Sequence, residues 1–297
     1  MSCVYPKFLN DRYTMKKTGA FFSLILLLVS CQPKQENKSS ASVVYSAERD
    51  IFHIYLANRM SKFDELAPGL MLFDATLPND PNKVFNYHLD TQMAANAGVY
   101  MADLYYSVLT KTTDVSVNYI KAVAGLSKAL GVEKLPVDNL ATRYNKNLEN
   151  YDSIKSIATQ LFKLTTEDLE TKHERLAGIM MATYQIENLH LALSILPTFP
   201  EILSPDEQET KDLLQRNILS QQSNIEIIYN FLRSTSDPLD PQRNPNYPFY
   251  DTALRDLIGI YQDIPDDTQA DPQINKQTLS ALTSLVTEIR TKIISVE

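Results

Sequence analysis

Apolar residues recur at three- and four-residue spacing along most of the 297-residue chain, and strict alternation over strand-length stretches is scarce. That period belongs to helices that bury one face. It predicts a first helix over residues 46–63, with Ile51, Ile54, Tyr55 and Phe63 facing inward. An irregular connection with three prolines follows over 67–83. A second helix over 88–109 carries Leu89, Met93, Ala97, Tyr100, Leu104 and Val108 on its apolar side. A third, capped by Asp114, brings Tyr119, Val123, Leu126 and Leu130 to a stop at Gly131. Further helices fit 137–148, 151–164, 166–196 (capped by Thr166 and ended by Pro197 and Pro200), 206–232, 251–262 and 275–294. The expectation is an all-α fold of about nine helices, an antiparallel bundle or short helical array over 43–297, with a possible subdomain edge at the Pro-rich stretch near 236–250. No 34-residue repeat keeps register.

The segment before residue 43 follows other rules. Lys16 and Lys17 precede a short apolar run, 19–29, that is well below the roughly 20 residues needed to span a bilayer. The run ends in Leu28-Val29-Ser30-Cys31, which resembles the lipobox of bacterial lipoproteins. The resemblance implies cleavage before Cys31, a diacylglyceryl thioether on its sulfur and acylation of the new amino terminus. Several acyl chains hold a protein at a membrane stably, where one is marginal. Residues 1–14 do not fit this unit, so Met15 is the expected initiator and 15–30 the signal peptide. The polar stretch 31–42 reads as a lipidated tether. The expected location is the cell envelope, at the outer membrane, and the expected partners are the membrane, through Cys31, and an envelope protein or small molecule.

The segment Asn96-Ala-Gly98-Val-Tyr100-Met-Ala102-Asp103-Leu-Tyr105-Tyr106 resembles the N-x-G-V-Y-x-A-D-L-x-Y stretch of uncharacterised helical lipoproteins from Bacteroidetes-type bacteria. The likeness runs over about residues 80–196, through Lys128-Ala-Leu-Gly131-Val, Arg143-Tyr144 with Asn147, Asp152-Ser153 and Ile186-Glu187-Asn-Leu. Where such proteins often carry Gly-Gly-Trp, this chain has Ala182-Thr183-Tyr184-Gln185. The resemblance implies an exported all-helical lipoprotein and carries no activity.

Composition narrows the chemistry. A formal charge of −8 argues against nucleic acid, whose backbone needs clustered Lys and Arg. Seven glycines form no phosphate-cradling loop, and no nucleophile elbow or zinc-peptidase helix is present. No catalytic residue or cofactor is expected. With Cys31 lipidated and Cys3 lost with the upstream segment, no cysteine remains for a disulfide or metal site.

Two polar features stand out. Asn96, Tyr100 and Asp103 share one stripe of a helix, and Arg143, with Tyr144 and Asn147, is a candidate to pair with Asp103. The stripe could line a pocket or fix helix packing. Separately, three of four histidines follow an acid by three residues: Asp50/His53, Glu170/His173 and Glu187/His190. Such pairs are half-sites of carboxylate-bridged metal centres, but the last two would sit about 25 Å apart on one helix and could not share a cluster. Glu187 and His190 are the better members. Tyrosines through the first half, and the proline-aromatic stretch from Asp237 to Tyr250, are candidates to meet a partner. The reading is a non-catalytic binding or assembly module, with a ligand or metal protein built on Asn96/Tyr100/Asp103 or Glu187/His190 as the alternative.

Overall fold

The computed structural model describes residues 47–52, 74–133, 135, 137–148, 150–235, 247–264 and 274–295. The lipobox with Cys31, the tether, His53, Ile54, Tyr55, Phe63 and 236–246 lie outside the described residues. Helices run over 47–52 and over α1 (Asp90–Leu109), α2 (Thr113–Ala129), α3 (Val137–Asn145), α4 (Tyr151–Ile195), α5 (Pro205–Leu219), α6 (Gln221–Thr235), α7 (Tyr247–Gln262) and α8 (Lys276–Ile294). Short 3-10 segments occupy Pro81–Asn86 and Leu196–Thr198. Among the described residues this is an all-α bundle of nine helices with no strand.

The nine are not the nine the spacing predicts. Residues 151–164 and 166–196 form one helix, α4, because Thr166 donates its hydroxyl back to the Phe162 carbonyl at 2.8 Å instead of capping a new start. The break in α4 comes at His173, whose backbone (φ −146°, ψ 61°) leaves the helical region. Conversely, the single helix expected over 206–232 divides at Ser220. There the Gln221 side chain donates to both the carbonyl and the side-chain oxygen of Asn217 at 2.8 Å, taking an acceptor that a continuous helix would use. The start of α5 is fixed by a reciprocal cap between Ser204 and Glu207, with Pro205 at the first helical position. Asp114 lies in the first turn of α2 and is not its cap. Gly131 does end that region, at φ +79°.

Helix α4 is the spine and touches every other labelled helix. Its most extensive partner is α1, which is buried on all sides from Met93 to Leu109. Small residues make this possible. A Cβ placed on Gly98 would sit 2.1 Å from the Met180 carbonyl oxygen, so the two backbones meet closely there. Thr183 fastens the same crossing by donating to the Ala95 carbonyl at 2.7 Å. Two assignments of the inner face change. Ile51 and Leu89 are exposed, and the residue that enters the core from 47–52 is Phe52, stacked on Phe231 at 3.7 Å between ring centroids.

Candidate functional site

The stripe on α1 faces a segment of turns and bends, 74–80, and the last helix. Tyr106 accepts a hydrogen bond from the Asp74 amide at 2.9 Å through its hydroxyl. Asp103 Oδ2 accepts from the Asn79 amide at 3.1 Å, and the Tyr100 hydroxyl donates to the Asp80 carbonyl at 3.0 Å. Asn96 donates to the Ile293 carbonyl on α8 at 3.3 Å and to Gln92 on its own helix at 3.0 Å. Side chains one helical turn apart thus hold backbone groups of a turn-and-bend segment that belongs to no helix.

The charged heart lies beside this stripe. Glu187 on α4 is fully buried, and Arg290 on α8 donates to both of its oxygens, Nε to Oε2 at 2.7 Å and Nη2 to Oε1 at 2.8 Å. The same Nη2 reaches the Leu77 carbonyl at 2.8 Å. Asp103, also fully buried, lies within hydrogen-bonding reach of Glu187. Burial and the neighbouring Glu187 charge push the Asp103 carboxyl well above its usual range. Burial raises Glu187 as well, but the Arg290 fork works against it. Two carboxyls and one guanidinium balance in a buried site only if one carboxyl keeps its proton. Burial and the Glu187 charge favour the protonated form at Asp103, whose Oδ1 has no other hydrogen-bond partner. Tyr119 is close enough to feel both acids, and burial raises its hydroxyl far above the ordinary range.

His190 lies one turn from Glu187, in reach of the Leu77 backbone. Burial and then the Arg290 charge lower its pKa to about 4, so it is neutral at pH 7. The two regions singled out separately in the sequence, Asn96/Tyr100/Asp103 and Glu187/His190, are therefore one cluster. Arg143 is not part of it. It donates to Gln160 at 2.7 Å, and Asn147 donates back to the Arg143 carbonyl at 2.6 Å. Tyr144 is buried and in reach of Ser116, away from Asp103. The guanidinium that the acids required comes from Arg290, which sequence reasoning missed. Its signal was a lone arginine in the final helix, on the turn before the buried Ile293.

The cluster offers little room for chemistry. Arg290 takes both oxygens of Glu187 and the Asn79 amide takes Oδ2 of Asp103, whereas Asp103 Oδ1 and the side-chain oxygens of Asn79 and Asn96 are buried without a hydrogen-bond partner. Among the described residues, no group of three or more His, Cys, Asp or Glu side chains is placed to hold a metal. His173, of the Glu170/His173 pair, sits at the break in α4. The proline-aromatic stretch ends inside the fold: Tyr250 is buried in the core, with Phe249 half-buried beside it at 5.0 Å between ring centroids.

Two open clefts are lined by other residues. One, of about 480 Å³, lies between the Pro81–Asn86 segment and α2, with Phe85, Tyr87, Met93, Ala122 and Leu126 on its walls. The other, of about 540 Å³, is polar and lies at the break in α4, beside Asp90, Lys172, His173 and Arg175. Among the described residues, no helix is long and apolar enough to cross a membrane. Comparisons with protein-family models, curated proteins and solved structures find no match.

Proposed function

We propose that this chain is a non-catalytic binding or assembly module of the cell envelope, held at the outer membrane by lipid on Cys31 and related to the helical lipoproteins of Bacteroidetes-type bacteria. The observation that carries the reading is the use made of the polar core. Asp103, Glu187 and Arg290 clasp segment 74–80, α1, α4 and α8 to one another, so the titratable groups with the most perturbed surroundings are consumed by the fold. Binding is left to open surface. The order of basic residues, short apolar run and lipobox supports the anchor.

The alternative, a ligand held by the core cluster, draws on the convergence of Asp103, Glu187 and His190 around Arg290. It requires a ligand to displace a two-pronged buried ion pair, at a cost of several kcal/mol. Labelling the host with radioactive palmitate tests the anchor. Incorporation abolished by Cys31→Ser supports it, and label retained in that variant refutes it. Cross-linking in intact cells tests the module, through a stoichiometric partner or bound molecule that survives His190→Gln.

A further inference from the structure

The cleft of about 480 Å³ falls within the size range of small-molecule sites, roughly 300–1,000 Å³. Its two walls differ in kind. One is the 3-10 segment, where Val84 packs on the core and Phe85 stands 81% exposed at the rim. The other is a face of α2 on which Asn118, Lys121, Ala122, Gly125 and Ala129 recur at helical spacing. Small residues leave this face bare. A Cβ on Gly125 would meet no atom within 4 Å, whereas one on Gly98 would collide with α4. Packing within the fold therefore accounts for Gly98 and not for Gly125. A glycine inside a helix costs about 0.5–1 kcal/mol relative to alanine, and here its structural effect is an open floor between Ala122 and Ala129.

Charge completes the description. Lys121 is the one charged side chain among the cleft's lining residues. Neither it nor Asn118 makes a side-chain hydrogen bond or ion pair among the described residues, so both are available at the rim. Lys83 and Lys128 belong to the same two elements but do not line the cleft. The acid that precedes the 3-10 segment, Asp80, is turned back to accept from the backbone and side chain of Asn82 at 2.9 Å. In a chain of net charge −8, the cleft thus carries one cation, Lys121, beside an apolar floor.

We propose that this cleft binds a small single-chain amphiphile with an apolar body and one anionic head, the body lying over Gly125 against Phe85 and Met93, the head at Lys121 and Asn118. The proposal rests on the reading of the chain as a binding module and does not depend on lipidation at Cys31.

The test uses the full chain in phosphatidylcholine nanodiscs and radiolabelled octanoate in equilibrium dialysis, with empty nanodiscs subtracted. Octyltrimethylammonium, which has the same chain and the opposite charge, is the paired probe. The expected result is one saturable site for octanoate, weakened about tenfold in Gly125→Leu, with the preference shifted toward the cation in Lys121→Glu. Far-ultraviolet circular dichroism and the unfolding midpoint check that both variants remain folded. Should Gly125→Leu misfold, Lys121→Glu and Phe85→Ala carry the test alone. Absence of a saturable site, equal binding by the folded variants, or equal affinity for the cation would overturn the proposal. Such a failure would leave the module reading standing, because that reading is judged by the cross-linked partner.

Discussion

Arg290 on the last helix closes a two-pronged hydrogen bond, at 2.7 and 2.8 Å, on the fully buried carboxylate of Glu187, 103 residues earlier in the chain. Breaking one side of such a pair leaves a buried charge without its partner, which costs about 3–5 kcal/mol. Glu187→Gln is therefore expected to lower the free energy of unfolding by that amount in urea titration. The double variant Glu187→Leu with Arg290→Met removes both charges together and is expected to be less destabilised than Glu187→Gln alone.

Asp103 behaves in the opposite sense. Its folded pKa lies well above the unfolded value of about 3.9, so its contribution is fully present below about pH 4. As pH rises beyond that, the unfolded carboxyl ionises while the native one keeps its proton, and stability falls until the folded pKa is passed. An asparagine side chain at this position would mimic the protonated acid, with an oxygen for the Asn79 amide and an NH₂ for Glu187. Asp103→Asn is thus expected to match the wild type near pH 4 and to be the more stable of the two at pH 8, as read by urea midpoints across the range.

His190 titrates on the acid side. Its folded pKa of about 4 lies below the unfolded value of about 6.5, so the neutral side chain contributes stability above pH 6.5 that is lost as pH falls toward 4. His190→Gln cannot take up that proton. The stability curve of this variant is expected to be flatter than the wild type's between pH 6.5 and 4, and an unchanged slope would place the acid loss elsewhere.

Two glycines give a contrast that needs no titration. Gly98→Ala would drive a methyl group against the Met180 carbonyl and the Thr183 hydroxyl, and is expected to cost at least about 1–3 kcal/mol. Gly125→Ala adds a methyl group in open space on a helix, and is expected to stabilise by about 0.5–1 kcal/mol. Chemical denaturation of the two single variants checks both signs.

The helical class and the buried α1 stripe were legible because period-3.6 patterning is local. Asn96, Tyr100 and Asp103 announced themselves by spacing alone. Their charged partner did not. Arg143 was nearer in sequence, but α3 packs against α2 and α4, where Gln160 takes its guanidinium. Arg290 arrives through long-range topology, which no local pattern encodes. Helix breaks failed for a related reason. The hydroxyl of Thr166 can cap a helix or bond back within one, and tertiary packing chose the second. Residues flanking Ser220 looked continuous because the competitor is a side-chain donor, the Gln221 amide, which takes the Asn217 carbonyl one turn away.

The central claim is that the buried acids hold the fold and that binding happens on open surface. Native mass spectrometry of the full chain, released from its host membrane in mild detergent, tests it most directly with wild type, Asp103→Asn and His190→Gln side by side. The account predicts the same bound species in all three proteins. A small mass or metal carried by the wild type and lost from a folded Asp103→Asn or His190→Gln chain would contradict it, and would make the Asp103/Glu187/Arg290 cluster the binding site.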